Sequence, residues 1–168
     1  ELILEVLAVS PDLNLIFTSA NADNEGRIIN HMIDEFVAAN RSRAVLVPSM
    51  GRQLYWSNLK LVDFVLGNSS SGIIEAPSAG IPTINIGTRQ EGRIRAASVI
   101  DCDPDVAKIN KAIRTALSCD FRAQIDSMAN PYDRGGASRI IADVIASTQA
   151  RDLLKKSFYD IKFSERAE

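Results

Sequence analysis

Residues 67 to 93 read Gly-Asn-Ser-Ser-Ser-Gly-Ile-Ile-Glu-Ala-Pro-Ser-Ala-Gly-Ile-Pro-Thr-Ile-Asn-Ile-Gly-Thr-Arg-Gln-Glu-Gly-Arg, and this stretch decides the fold. The apolar run from Val62 to Leu66 precedes it and predicts a buried strand. The run breaks at Gly67 into small polar residues, which predict a turn and then a short helix. A second strand follows from Pro82 to Ile86. A strand, a helix and another strand in this order indicate one unit of a parallel sheet.

The rest of the chain repeats this alternation. Strands are predicted at Leu13–Thr18, Ala44–Val47 and Ser98–Ile100. Helices are predicted at Glu1–Val9, Glu25–Ala39 (capped by Asp23 or Asn24), Leu54–Leu61, after Asp103-Pro104-Asp105, Phe121–Met128, Ser138–Ser147 and Asp152–Phe158. The sequence therefore predicts an α/β fold: a Rossmann-like parallel sheet with helices on both faces. Ligands of such sheets bind beyond the carboxyl ends of the strands, where the strand order reverses.

The turn after Gly67 has the residues of a phosphate site. The hydroxyls of Ser69, Ser70 and Ser71 are donors, and small residues let a ligand approach the backbone. Glu75 follows Ser71 by about one helical turn, so its carboxylate faces the same side. A carboxylate repels phosphate but binds the two vicinal hydroxyls of a sugar, so the pattern indicates a nucleotide. The alternative is that the serines only cap the helix and Glu75 only complements its dipole.

The wider pattern resembles a known family. The segments Gly67–Gly72, Glu75–Pro77, Gly80–Pro82 and Gly87–Arg93 together resemble the signature of the hydrolysing UDP-N-acetylglucosamine 2-epimerases, in particular the sialic-acid-pathway branch. The matching motifs extend roughly from Phe17 to Asp101. The resemblance implies a GT-B-type architecture of two Rossmann-like domains with the active site between them. Residues 1–168 resemble the second, UDP-binding domain. The family's second domain opens with a strand and a His-containing loop, so we expect a fragment that lacks the N-terminal domain and that first strand.

The resemblance also implies roles for individual residues. Ser69 and Ser70 match the positions that hold the diphosphate, and Glu75 matches the one that holds the ribose hydroxyls. Arg89 matches a residue that contacts the nucleotide, with a solvated loop arginine as the alternative. Arg93 and Arg95 either add positive potential or are surface charges.

Two weaker positions lie before the motif. The loop Val47–Gly51 resembles the one whose backbone reads the uracil edge, which assigns Met50 to the site. Asn21 matches a substrate-facing asparagine. Tyr55 and Trp56 are able to stack on uracil, although helix packing explains them equally well. His31 lies on the polar side of its helix and is interpreted as a surface residue.

The implied reaction converts UDP-N-acetylglucosamine and water to N-acetylmannosamine and UDP. Proton loss at C2 and anti elimination of UDP give 2-acetamidoglucal, which water then hydrates. The acid and base belong mainly to the other domain, so we expect no catalytic residue in this segment and no activity from it alone. Its expected ligands are UDP and a UDP-N-acetylhexosamine, and its expected partner is the N-terminal domain of the same protein. No cofactor or metal is implied.

Composition limits the other classes of function. The net charge is −2 and hydrophobic residues make up 46% of the 168 residues, which argues against a nucleic-acid surface and suits a globular protein. No apolar stretch has the length of a membrane span, and no signal peptide opens the chain. Cys102 and Cys119 have no zinc or redox spacing. These features favour the cytoplasm and leave a homo-oligomer open.

Two other functions remain at the level of the sequence. One is the donor domain of a GT-B glycosyltransferase, which shares the fold and a ribose-binding glutamate. The matches at Asn68–Ser71 and Thr88–Gln90 argue against it. The other is a non-enzymatic module that senses a nucleotide sugar, which needs no partner domain.

Overall fold

Strands and helices alternate in the computed structural model, which describes residues 1–20 and 25–148. Within this part, the strands are β1 (Leu15–Thr18), β2 (Ala44–Val47), β3 (Val65–Gly67), β4 (Thr83–Ile86) and β5 (Val99–Cys102). The α-helices are α1 (Leu2–Ala8), α2 (Gly26–Ala39), α3 (Gly51–Leu59), α4 (Ser70–Ile74), α5 (Val106–Leu117), α6 (Cys119–Ile125) and α7 (Ala137–Ser147). Residues 1–133 form one compact unit, and α7 belongs to a second unit, 134–168.

All strand pairs are parallel, as predicted, but the strands form two sheets. β1 pairs with β2, so that Leu15 lies opposite Ala44. β4 lies between β3 and β5, with Thr83 opposite both Val65 and Val99. Among the described residues, no strand pairing joins β1 or β2 to β3. The two orders, β2-β1 and β3-β4-β5, correspond to the two sides of the common doubly wound order 3-2-1-4-5-6, in which strand 1 links them.

Helices cover both faces of the three-stranded sheet, which confirms that part of the prediction. Side chains alternate between faces along a strand, and all four residues of β4 are buried. Ile84 and Ile86 face a core formed with α1 and α5. That core contains Val6, Ile84, Ile86, Cys102, Ile109, Ala112, Ile113 and Ala116. The opposite face of β4 carries Thr83 and Asn85, and Thr83 packs against Gly72 of α4. α4 is therefore seated directly on the central strand of this sheet.

Helix starts follow local sequence signals in some places only. α5 begins as predicted, with Asp105 as its N-cap and the Asp105 carboxylate accepting from the Lys108 N–H at 2.9 Å. α2 has Glu25 as its N-cap, without a side-chain hydrogen bond. The predicted caps Asp23 and Asn24 lie outside the described residues, as does the predicted helix 152–158.

The predicted boundaries of β3 and β5 differ from the observed ones at both ends. β3 begins at Val65, whose N–H donates to the Pro82 carbonyl at 2.9 Å, and it extends to Gly67. Asp63 lies outside the strand and forms an ion pair with Arg122 at 2.8 Å. β5 extends beyond Ile100 to Cys102, whose carbonyl accepts from the Gly87 N–H at 2.9 Å. In both cases pairing with β4 sets the strand ends.

Two observations on the described residues concern membrane spans and His31. No helix among the described residues is long and apolar enough to cross a membrane. His31 is exposed on α2 and lies 3.4 Å from Glu35, one turn along the same helix. The interpretation of His31 as a surface residue is confirmed.

Candidate nucleotide-binding site

The serine turn, residues 67–71, joins β3 to α4. Gly67 has a φ of +146°, which favours glycine, and the chain turns there out of the sheet. Ser69 is the N-cap of α4, and its Oγ accepts from the Ser71 N–H at 3.3 Å. The capping interpretation of Ser69 is therefore confirmed. A hydroxyl that accepts in this way keeps its own proton for a further partner.

Pro77 divides the predicted motif helix into two parts. α4 ends at Ile74, and a 3₁₀ helix at Ala76–Ala79 has Pro77 at its start. The Glu75 N–H donates to the Ser71 carbonyl at 2.8 Å, so Glu75 completes one helical turn from Ser71. The predicted one-turn spacing of these two residues is confirmed, and the helix is interrupted immediately after Glu75.

Tyr55 of α3 connects to the serine turn from a neighbouring helix. Its hydroxyl forms a short hydrogen bond with Ser71 Oγ. Burial raises the pKa of the Tyr55 phenol, the bond to Ser71 lowers it, and the negative charge of Glu75 raises it, with a net increase. Glu75 therefore lies close enough to act on the phenol that touches Ser71. The sequence indicated a role only for the Tyr55 ring, and this hydroxyl contact was not predicted.

The loop after β4 reaches the same turn. The Asn68 carbonyl accepts from the Arg89 guanidinium at 3.2 Å and from Gln90 Nε2 at 2.8 Å. Gln90 is only 4% exposed, whereas Arg89 is exposed. Gly87 has a φ of +74°, which lets the chain turn at the end of β4. Arg89 therefore lies beside the serine turn, and Gln90, which had no predicted role, anchors the loop.

An ion pair between Arg95 and Asp101 holds the far end of the loop after β4. Arg95 Nε lies 2.8 Å from a carboxylate oxygen of Asp101 on β5. The other Asp101 oxygen accepts from the buried Asn85 amide at 2.7 Å. Arg95 is thus an anchored residue with a neutralising partner, while Arg93 is exposed. The positive charge available at the serine turn comes from Arg89.

The other two predicted site residues are Met50 and Asn21. Met50 is half-buried and is the N-cap residue of α3, directly after the loop that follows β2. No hydrogen bond among the described residues joins Met50 to the serine turn. Tyr55, one and a half turns along α3, is what links that helix to Ser71. Asn21 lies outside the described residues.

The cluster combines hydroxyl donors, a guanidinium and a carboxylate. Three serine hydroxyls and Arg89 suit a phosphate, and Glu75 beside them suits a diol. Among the described residues, no group of three or more His, Cys, Asp or Glu side chains is arranged to hold a metal. A cavity of about 590 Å³ lies beside the loop after β4 and is lined by Gly87, Thr88 and Glu91 together with residues of β5 and α5. The cluster itself lies at the carboxyl ends of β3 and β4.

Comparison with known proteins identifies the family. A family model described as UDP-N-acetylglucosamine 2-epimerase matches residues 1–146. The chain belongs to this family. It is 35% identical over 160 residues to the GDP/UDP-N,N'-diacetylbacillosamine 2-epimerase (hydrolyzing) of Campylobacter jejuni, covering 95% of this chain and 41% of that protein. It is 38% identical to polysialic acid biosynthesis protein P7 of Escherichia coli, covering 88% and 38% respectively. The chain thus spans about two fifths of these relatives.

A solved structure shares the fold. The UDP-GlcNAc 2-epimerase of Neisseria meningitidis bound to UDP-GlcNAc matches with a TM-score of 0.62 at 18% sequence identity. The match covers 88% of this chain and 40% of that enzyme, which has the GT-B architecture. The α/β fold predicted for this member of the epimerase family is confirmed, and so is the resemblance that the motifs indicated.

Proposed function

We propose that the full-length protein is a hydrolysing UDP-N-acetylglucosamine 2-epimerase and that this chain supplies its UDP-binding half. The reaction takes UDP-N-acetylglucosamine and water to N-acetylmannosamine and UDP, for sialic acid or related nonulosonate biosynthesis. One observation carries the proposal: the serine turn, Glu75 and Arg89 meet at the carboxyl ends of two adjacent parallel strands. This is the edge at which sheets of this kind bind nucleotides.

The diphosphate contacts come from four side chains. Ser69, Ser70 and Ser71 donate through their hydroxyls, and Arg89 donates from the facing loop while it also holds the Asn68 carbonyl. Negative charge grows on the diphosphate as the C1–O bond of the sugar breaks, so fixed donors at this position stabilise the transition state as well as the bound substrate. Glu75 accepts from the ribose hydroxyls, one helical turn away from the diphosphate.

The remaining contacts and the acid–base chemistry come from elsewhere. Met50 lies beside the uracil by backbone contact, and Asn21 faces the sugar. A general base removes the C2 proton, and an acid protonates C2 when water adds at C1. We assign both groups to the N-terminal domain, since Glu75 is committed to ribose. This chain on its own therefore binds UDP and catalyses nothing.

The sheet arrangement supports the domain proposal. β1 and β3 each have one edge without a strand partner in the described chain. A parallel strand between them gives the order β2-β1-x-β3-β4-β5, which is the doubly wound order 3-2-1-4-5-6. We propose that the preceding part of the full-length protein supplies this strand. The strand order then reverses beside β3, which places the serine turn at the reversal point where ligands bind.

The sugar and the compartment are further parts of the proposal. The names of two relatives refer to different sugars. One is a GDP/UDP-N,N'-diacetylbacillosamine 2-epimerase, and the other is a polysialic acid biosynthesis protein. We therefore propose a UDP-linked N-acetylhexosamine as substrate, either UDP-N-acetylglucosamine or its 2,4-diacetamido-6-deoxy relative. Cys102 and Cys119 are both free thiols, which fits the reducing cytoplasm.

The test is product analysis with the full-length protein. It is incubated with UDP-N-acetylglucosamine, and separately with UDP-N,N'-diacetylbacillosamine, in D₂O. Mass spectrometry should detect UDP and a free 2-epimeric sugar with one non-exchangeable deuterium at C2, because hydration takes that proton from solvent. A sugar still attached to UDP would indicate epimerisation without hydrolysis. Sugar transfer to an added acceptor would indicate a glycosyltransferase, and either result would contradict the proposal.

A further inference from the structure

Tyr55 is the side chain by which α3 contacts Ser71, and its position differs from that of an ordinary packing residue. The phenol is half-buried on α3, sixteen residues before Ser71, and its hydroxyl bonds to Ser71 Oγ. The charge of Glu75 acts on the same phenol. Tyr55 thus contacts Ser71 and lies within electrostatic range of Glu75.

The direction of the Tyr55–Ser71 bond determines what Ser71 offers to a ligand. A serine hydroxyl has one proton and two lone pairs. If Ser71 donates to Tyr55, it presents only lone pairs to the outside, and these repel an anion. If Tyr55 donates to Ser71, the Ser71 proton remains available for an acceptor. Among the described residues, Tyr55 is the hydrogen-bond partner of Ser71 Oγ.

The chemistry of the two groups favours Tyr55 as the donor. A phenol is a stronger acid than an aliphatic alcohol and is accordingly the better hydrogen-bond donor. Burial and the nearby Glu75 carboxylate raise the pKa of Tyr55, so the phenol keeps its proton at neutral pH. A chain of two hydroxyls that donate in the same direction is also strengthened by mutual polarisation.

We infer that Tyr55 is a positioning residue whose hydroxyl donates to Ser71 Oγ and thereby directs the Ser71 proton at an anionic group of the ligand. The inference rests on the proposed function, since it needs a phosphate beside Ser71. It makes Tyr55 a determinant of the preference for a nucleoside diphosphate over the uncharged nucleoside. Tyr55 itself does not touch the ligand.

Calorimetry with uridine and UDP tests the inference on the full-length protein. Tyr55→Phe should weaken UDP binding about three- to tenfold, the loss of one hydrogen bond, and should leave uridine binding unchanged. In a Ser71→Ala background the same substitution should change UDP binding less than about twofold. Tyr132→Phe is the matched control, because it removes the hydroxyl of a tyrosine that donates to the Ile94 carbonyl at 3.1 Å. It should change neither affinity.

The outcomes separate this inference from the proposed function. If the wild-type protein binds uridine and UDP equally, the phosphate site itself is wrong. If wild type prefers UDP and Tyr55→Phe keeps that preference in full, only the role of Tyr55 is wrong. Equal losses for uridine and UDP, persisting in the Ser71→Ala background, would reduce Tyr55 to a structural residue. Should Tyr55→Phe fail to fold, Ser71→Ala decides alone, because a full UDP preference without the Ser71 hydroxyl overturns the inference.

Discussion

Gly72 of α4 lies so close to β4 that a single methyl group should disturb the site. A Cβ added at Gly72 would be 2.6 Å from Thr83 Cγ2, about 1 Å short of ordinary contact. Thr83 is 2% exposed on the central strand of its sheet, so we expect the surrounding atoms to resist its displacement. Overpacking of this kind costs about 1 to 3 kcal/mol, whereas the higher helix propensity of alanine returns at most about 1 kcal/mol. We expect Gly72→Ala to lower the free energy of unfolding by about 1 to 2 kcal/mol.

The structure also specifies the substitution that should relieve the clash. Thr83→Ser removes Cγ2, and the next atoms, Thr83 Oγ1 and Cβ, lie at 3.6 and 3.7 Å from the added Cβ. Thr83→Ser alone should cost about 0.8 kcal/mol for one buried methyl group. The Gly72→Ala/Thr83→Ser protein should be more stable than Gly72→Ala, because the new methyl occupies the space of the old one.

Urea denaturation of the four proteins measures this coupling, and UDP binding gives a second readout because α4 carries Ser70 and Ser71. Gly80→Ala is the control. Gly80 has a φ of +70°, and a Cβ added there would have nothing within 4 Å, so the stability lost in Gly80→Ala comes from backbone strain. This loss of stability should add to that of Thr83→Ser. A Gly72→Ala protein as stable as wild type would refute the reasoning. So would a double variant no more stable than Gly72→Ala.

Three further predictions concern single side chains. Ser69→Ala removes the α4 cap and should cost about 1 kcal/mol in urea denaturation, with Ser69→Gly losing only a few tenths, and equal losses would contradict capping. Cys119 is exposed, whereas Cys102 is buried, and burial followed by the charge of Asp103 raises the pKa of Cys102. Iodoacetamide should therefore label Cys119 first and should label Cys102 only at higher pH or in denaturant. Peptide mapping of the labelled protein measures this order. Glu75→Gln should raise KM and weaken UDP binding by similar factors with little change in kcat, and a collapse of kcat with intact UDP binding would instead make Glu75 an acid or base.

The fold was predictable where the chain interacts with itself locally. The cap at Asp105 and the spacing of Ile109 and Ile113 on α5 follow from residues within one or two turns, and the helix begins where they indicate. Strand pairing is set by partners far along the chain. Nothing in the apolar run from Val62 indicates that pairing with β4 begins only at Val65, and nothing in β1 indicates that β2 is its strand partner among the described residues.

In the candidate site, too, only the relations between residues close in sequence were predictable. Ser71 and Glu75 are one helical turn apart, so their shared face was readable from spacing alone. Tyr55 lies sixteen residues before Ser71, which it contacts. Gln90 lies twenty-two residues after Asn68, to which it donates. Their contacts depend on how α3 and the loop after β4 pack around α4. A polar side chain next to an apolar one, as in Leu54-Tyr55-Trp56, does not indicate which partner its hydroxyl will find.

The contacts at Asn68 explain why a buried amide and an exposed guanidinium occur side by side in the loop after β4. Gln90 donates to the Asn68 carbonyl at 2.8 Å from a position that is 4% exposed, so this bond fixes the loop against the serine turn. Arg89 donates to the same carbonyl at 3.2 Å from an exposed position. A loop already held by Gln90 does not need Arg89 for its stability. Arg89 is therefore free to exchange part of its hydration for a phosphate without loosening the loop that presents it.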